Sequence, residues 1–296
     1  MRIRPTLAAL GVAAAAGIGY ASVIERNWFR LRRHDVPVLP PGSRPIRLLH
    51  LSDAHLTPGR RRLIEWVRGL DTYEPDLVVN TGDSLAHPDA VGPFLDALGP
   101  LLDRPGIFVY GSNDLYSPVP KNPARYLWRT SKSDYKRTVP DLPYEELGAG
   151  MRAAGWIDLN NHKTSLKAGG IDIQVAGIGD SHINRDRYDT VAGLADPTAD
   201  LRLALMHSPE PRNLDRFEAD GYDLQLAGHT HGGQLCLPFY GALVTNCGID
   251  RNRARGLSPW GDSWLNVSAG LGTSPWAPAR FACPPEATLL TLLPRN

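Results

Sequence analysis

Cysteine is scarce in this chain of 296 residues: Cys236, Cys247 and Cys283 are the whole complement. An odd, small number excludes a disulfide framework and favours a reducing compartment. No Cys-x-x-Cys pair is present, which excludes thiolate zinc sites of that type. Charge of one sign is lacking too. The 32 Lys and Arg face 31 Asp and Glu, so the strongly basic balance of a nucleic-acid binder is absent and no such partner is expected. No internal repeat is visible. What remains is a composition close to globular averages, 42% hydrophobic and 21% charged, on a chain long enough for a sizeable core.

The little charge imbalance there is sits at the N-terminus. Residues 5–24 carry no charge, with Arg2 and Arg4 before them and Arg26, Arg30, Arg32 and Arg33 after them. Twenty apolar residues can just cross a bilayer. The segment 1–35 therefore reads as a membrane anchor with a basic collar, the alternative being a signal peptide cleaved after export. The excess of Arg behind the span keeps the following domain in the cytoplasm on the anchor reading. Residues 36–45, VPVLPPGSRP, read as a stiff linker, and the folded domain as 46–296.

Within that domain short apolar runs recur: IRLLHL (46–51), DLVVN (76–80), IFVY (107–110), IDIQVAGI (171–178), LRLALM (201–206), DLQLA (223–227), WLNVS (264–268) and ATLLTLL (287–293). Their lengths and their Leu, Val and Ile content suit buried strands. Thr57-Pro58 opens a helical pattern with Leu63, Val67 and Leu70 on one face, and 91–102 is similar. Strands alternating with helices predict an α/β fold.

Five polar clusters each follow one of these runs: Ser52-Asp53-Ala54-His55, Thr81-Gly82-Asp83, Gly111-Ser112-Asn113-Asp114, His207-Ser208-Pro209 and Gly228-His229-Thr230-His231-Gly232-Gly233. Ligands of open α/β sheets gather outside the carboxyl ends of strands, so five clusters there can converge. Residues two apart on an extended chain point the same way, which lets Asp53 with His55, and His229 with His231, grip ions. Mixed carboxylate, amide and imidazole ligands suit Mn, Fe or Zn. Seven ligands exceed one tetrahedral ion and match two divalent ions that share a carboxylate.

In this order, Asp-x-His, Gly-Asp, a Gly-x-Asn-Asp segment, a lone His and Gly-His-x-His, the sequence resembles the calcineurin-like metallophosphoesterase family. The runs GHTHGGQLCLPFYGAL and SAGLGTSPWAPARFACPPEATLLTL resemble its membrane-associated bacterial phosphodiesterase branch. The resemblance covers roughly residues 30–294. It implies a two-sheet β-sandwich flanked by helices with a dinuclear site at one edge. It also implies that Asp53, His55 and His231 hold one metal, that Asn113, His207 and His229 hold the other, and that Asp83 bridges them. The implied reaction is attack on a phosphodiester by a hydroxide held between the metals.

One departure stands out. The family's Gly-Asn-His-[Asp/Glu] appears as Gly111-Ser112-Asn113-Asp114. Either Asn113 remains the ligand or Ser112 occupies the Asn place; the better donor strength of an amide oxygen favours Asn113. Both registers lose the His that protonates the leaving group, which leaves His182 and Asp114 as candidate acids. Residues 116–140 form an insertion with six cationic side chains against Asp134, interleaved with aromatics, which suits an anionic lipid surface. Together these features predict a phosphodiesterase acting on a membrane-associated or lipid-linked phosphodiester. The alternatives are a phosphomonoesterase or protein phosphatase of the same fold, and a binding protein that reuses the fold without turnover.

Overall fold

The computed structural model describes residues 3–120 and 137–295. Its strands, in chain order, are β1 (Arg30–Leu39), β2 (Ile46–Leu51), β3 (Leu77–Asn80), β4 (Gly106–Phe108), β5 (Ile157–Asp158), β6 (His162–Ala168), β7 (Ile171–Gly177), β8 (Leu201–Leu205), β9 (Leu224–Ala227), β10 (Cys236–Leu237), β11 (Gly241–Ala242), β12 (Gly256–Trp260), β13 (Ser263–Val267) and β14 (Glu286–Pro294). The helices are α1 (Ile3–Gly19), α2 (Arg61–Arg68), α3 (Val91–Leu98), α4 (Ser112–Leu115), α5 (Tyr144–Ala153) and α6 (Pro211–Ala219).

Two six-stranded sheets face each other, ordered β1-β14-β2-β3-β4-β5 and β12-β13-β9-β8-β7-β6. Strands β2, β3 and β4 are parallel, as are β7, β8 and β9. Parallel strands buried on both faces read as continuous apolar runs, and all eight such runs are strands. Successive side chains go to opposite layers. Leu48 enters the layer between the sheets with Val79, Ile107, Leu203 and Leu226. Leu49 enters the outer layer with Leu63 of α2, Phe94 of α3 and Met151 of α5. On the far face of the second sheet, Leu214 and Phe217 of α6 close a third cluster. The result is the helix-flanked two-sheet sandwich that the resemblance implies.

The segment read as a linker is corrected in its first half. Residues 30–39 form β1, parallel to β14, with Val36, Val38 and Leu39 buried. Pro37 misled the reading, but β1 is an edge strand, where a missing N–H costs no ladder bond. The supposed collar is partly consumed inside the protein. Arg32 pairs with the buried Glu286, and the Arg33 guanidinium lies 5.0 Å from the Tyr73 ring centroid. Upstream, the buried Glu25 carboxylate accepts from Cys283 N at 2.6 Å, and Arg280 N donates to Ala21 O at 3.0 Å. Contacts with the domain thus reach back to Ala21, ahead of Ile46. Helix α1 runs on into a π-helical turn, Tyr20–Ile24. Among the described residues, no helix is long and apolar enough to cross a membrane. Thr57-Pro58 makes a turn, closed by Arg60 N to Thr57 O at 3.1 Å, and α2 starts at Arg61. Of the basic insertion 116–140, residues 121–136 lie outside the described residues.

Candidate metal centre

Each polar cluster follows a parallel strand, so the sheets deliver all five to one edge. Main-chain bonds then stitch neighbouring loops together: Asp53 N to Gly82 O at 2.8 Å, His55 N to Asp83 O at 2.9 Å, and Gly228 N to His207 O at 2.9 Å. The approach is so close that a Cβ on Gly228 would lie 1.9 Å from Ser52 Oγ, and one on Gly82, at φ +90°, 2.2 Å from Gly111 N. Asp53, His55, Asp83, His229 and His231 all have φ between 41° and 69°. That left-handed region is uncommon for residues other than glycine, and such strain clusters at functional sites.

The side chains converge. His55 Nε2 lies 3.0 Å from His231 Nε2 and 4.0 Å from Asp53 Oδ1, and His231 Nε2 is 3.5 Å from that same oxygen. His55 Nε2 and His207 Nε2 each lie 3.4 Å from Asp83 Oδ2. Two donor groups result, Asp53 with His55 and His231, and Asp53 with Asp83 and His207. The His229 ring sits 5.2 Å from that of His207, centroid to centroid. Asn113 joins them through its backbone N, 2.6 Å from Asp83 Oδ1, and its amide nitrogen, 2.8 Å from Asp83 Oδ2. All seven residues singled out from the sequence therefore meet.

Their surroundings suit cations. His207 Nδ1 is 2.7 Å from Thr81 O, which turns its Nε2 towards Asp83 Oδ2, where it would give up its proton to ligate a cation. His229 Nε2 lies 3.3 Å from Asn246 O, which leaves Nδ1 as its lone-pair nitrogen. Burial pushes the pKa of His55, His229 and His231 down, so these imidazoles are neutral, the ligating form. Burial works to raise Asp83, but the charge and hydrogen bond of His207 override it and hold its carboxyl well below the usual range. Asp53 goes the other way, raised by burial. Two buried carboxylates beside four imidazoles form a donor set that fits bound cations.

Sequence reasoning passed over the residues behind the ligands. Asn266 Nδ2 donates to His50 Nδ1 at 2.8 Å, which fixes the proton on Nε2. That nitrogen donates to Thr81 Oγ1 at 2.9 Å, Thr81 to Ser52 Oγ at 2.7 Å, and Ser52 to Asp53 Oδ2 at 2.6 Å. Arg280, fully buried, reaches Gly272 O at 2.6 Å, Gly270 O and His231 O at 3.1 Å, and His231 Nδ1 at 3.3 Å. No local motif marks either arrangement.

Asp114, one of the two candidate acids, lies behind the Asp83 loop. Its oxygens accept from the backbone N–H of Asp83, Ser84, Leu85 and Gly111 at 2.7 to 3.3 Å, in a fully buried position. It clamps the Asp83 loop to α4. His182 sits with its ring 4.6 Å from that of His229, its backbone held by Asp180 Oδ1 at 2.9 Å.

The calcineurin-like phosphoesterase family matches residues 46–233, and the chain belongs to that family. It is 29% identical to the metallophosphoesterase YkuE of Bacillus subtilis, over 98% of this chain and 94% of that one. It is 26% identical to the phosphodiesterase YaeI of Escherichia coli, over 95% of each. It is also 26% identical to the UDP-2,3-diacylglucosamine pyrophosphatase LpxG of Chlamydia trachomatis, over 93% of this chain and 92% of that one. The protein is a metal-dependent phosphoric ester hydrolase.

Proposed function

We propose that this hydrolase is a phosphodiesterase using two divalent metal ions, Mn, Fe or Zn, on a membrane-associated or lipid-linked phosphodiester. The carrying observation is Asp83, whose one oxygen lies 3.4 Å from imidazoles of two different ligand clusters, the position of a shared carboxylate. Asp53, His55 and His231 would hold one ion and Asn113, His207 and His229 the other. When bound, the ions supply charge neutralisation for phosphoryl oxygens and acidify water. The chain does the rest. The strained, interlocked loops fix the ligands, and Asp114 keeps Asp83 in register. His182, beside His229, is the imidazole assigned to protonate the leaving oxygen.

The similarity to YaeI supports a diester. The similarity to LpxG, and the exposed apolar residues Leu10, Val12 and Ile18 of α1, support an amphiphilic substrate met at a lipid surface. The test compares bis(4-nitrophenyl) phosphate with 4-nitrophenyl phosphate on Mn²⁺-loaded protein, beside Asp83→Asn. Faster diester turnover is expected, cut about 10³-fold by the substitution, because a shared ligand serves several kcal/mol of charge stabilisation. Faster monoester turnover would favour a phosphomonoesterase. Metal binding without turnover of either would favour a binding protein.

A further inference from the structure

Beyond the metal ligands, the chain folds into a short hairpin, β10 and β11, whose tip carries Leu237, Phe239 and Tyr240. All three are at least half exposed, and Phe239 is fully so. Phe239 also has φ +66°, a conformation costly for a bulky side chain. A strained aromatic projected into solvent has no packing role in this fold. Behind the hairpin lies a cavity of about 430 Å³, within the range of small-molecule sites.

The cavity wall is joined to the metal centre through the main chain, at the residue after the proposed ligand His231. Gly232, which follows His231, lines it, and the Arg255 side chain passes so close that a Cβ there would lie 3.1 Å from Arg255 Cδ. Ala254, also in the wall, accepts from Thr230 Oγ1 at 2.6 Å, between His229 and His231. The charge is one-signed. Among the described residues, Arg251 and Arg255 line the cavity and no carboxylate does. Arg251 Nη1 donates to Tyr240 Oη at 2.7 Å, with the guanidinium 4.9 Å from the ring centroid, and Arg255 Nη1 donates to Ala282 O at 3.3 Å. Each guanidinium has five N–H donors, so both keep donors for an anion.

The geometry points to a subsite for an anionic amphiphile: the apolar tail lies on Leu237, Phe239 and Tyr240, and the headgroup beside Arg251 and Arg255, with its phosphodiester at the metals. This deepens the reading of the protein as a lipid-linked phosphodiesterase and rests on it. The subsite selects substrates that carry a tail and discriminates against headgroups bearing a cation, which the two guanidinium groups repel.

The experiment measures competitive inhibition of bis(4-nitrophenyl) phosphate hydrolysis by the full-length, Mn²⁺-loaded protein. The competitors are dihexanoyl phosphatidylglycerol below its micellar concentration, glycerophosphoglycerol, which lacks tails, and dihexanoyl phosphatidylcholine, which adds a cation. Phosphatidylglycerol is expected to bind at least about tenfold tighter than either control, from burial of several methylenes and from charge. Phe239→Ser removes the advantage over glycerophosphoglycerol, and Arg251→Gln removes the advantage over phosphatidylcholine. Both variants keep Mn²⁺ affinity, read by competition titration, within about twofold, because neither residue is among the proposed metal ligands. Equal binding of all three by the wild type, or a tail preference that survives Phe239→Ser, overturns the subsite. A preference seen only with dioleoyl phosphatidylglycerol vesicles assigns the hairpin to a bilayer instead and also overturns it. Absence of aryl diester turnover is a failure of the phosphodiesterase reading, and equilibrium dialysis of the same three compounds then still decides the subsite.

Discussion

The two halves of the candidate metal centre are backed differently. Around Asp53 and His231 the support comes from side chains: the chain from Asn266 through His50, Thr81 and Ser52, and the buried guanidinium of Arg280. Around His207 and His229 the rings themselves are held by main-chain carbonyls, Thr81 O and Asn246 O, with the Asp114 carboxylate behind the loop that carries Asp83. Main-chain support survives a change of side chain and side-chain support does not. Gly-Ser-Asn-Asp lies in the backbone-held half, where Asn113 also bonds Asp83 through its own N–H. Single substitutions should therefore damage the first half far more than the second.

The sharpest break is Arg280→Met. It strands four acceptors in a buried position, so a loss of about 3–5 kcal/mol is expected by chemical denaturation, together with loss of metal from one half. A stable variant that still binds two equivalents of Mn²⁺ would erase the distinction. Next is Thr81→Val, nearly the same shape without the hydroxyl that relays to Ser52. Mn²⁺ affinity should fall about 10–100-fold by competition titration, while Thr81→Ser stays near wild type. The Thr81 carbonyl that serves His207 is untouched by both, so equal loss in the two halves would count against the comparison.

A smaller effect sharpens it. His50, fully buried, has its pKa pushed down to about 3 by burial, against an ordinary value of 6.5. A histidine kept neutral in the fold contributes stability that is fully present above about 6.5. That stability is lost as pH falls towards about 3, at up to about 1.4 kcal/mol per unit. His50→Gln keeps an acceptor for Asn266 and a donor for Thr81 but does not titrate. Urea melts from pH 7 to pH 4 should therefore give a flatter stability profile for the variant. Identical slopes would show that His50 is not the group that charges on unfolding.

Much of this was legible beforehand, for a physical reason. Strands buried on both faces announce themselves as apolar runs, and metal ligands need rare residue types at fixed places after strand ends. The meeting of Asp53, His55, Asp83, His207, His229 and His231 at one edge could be read from that pattern. The edge strand β1 could not, because Arg and Pro dilute its pattern and its partner β14 lies some 250 residues away in the chain. His50 and Arg280 were hidden for a related reason. Their neighbours, Asn266 and His231, are distant in sequence, so only the fold shows that a buried histidine and a buried arginine support the ligands. The β10–β11 hairpin was invisible because two-residue strands carry no periodicity.

The central claim is that Asp83 is shared by two cations. Anomalous scattering from crystals of the full-length protein soaked in Mn²⁺ tests it directly. Two peaks are expected, one against Asp53, His55 and His231, the other against Asn113, His207 and His229, with Asp83 touching both. A single peak, or two peaks with Asp83 bound to only one, would contradict it.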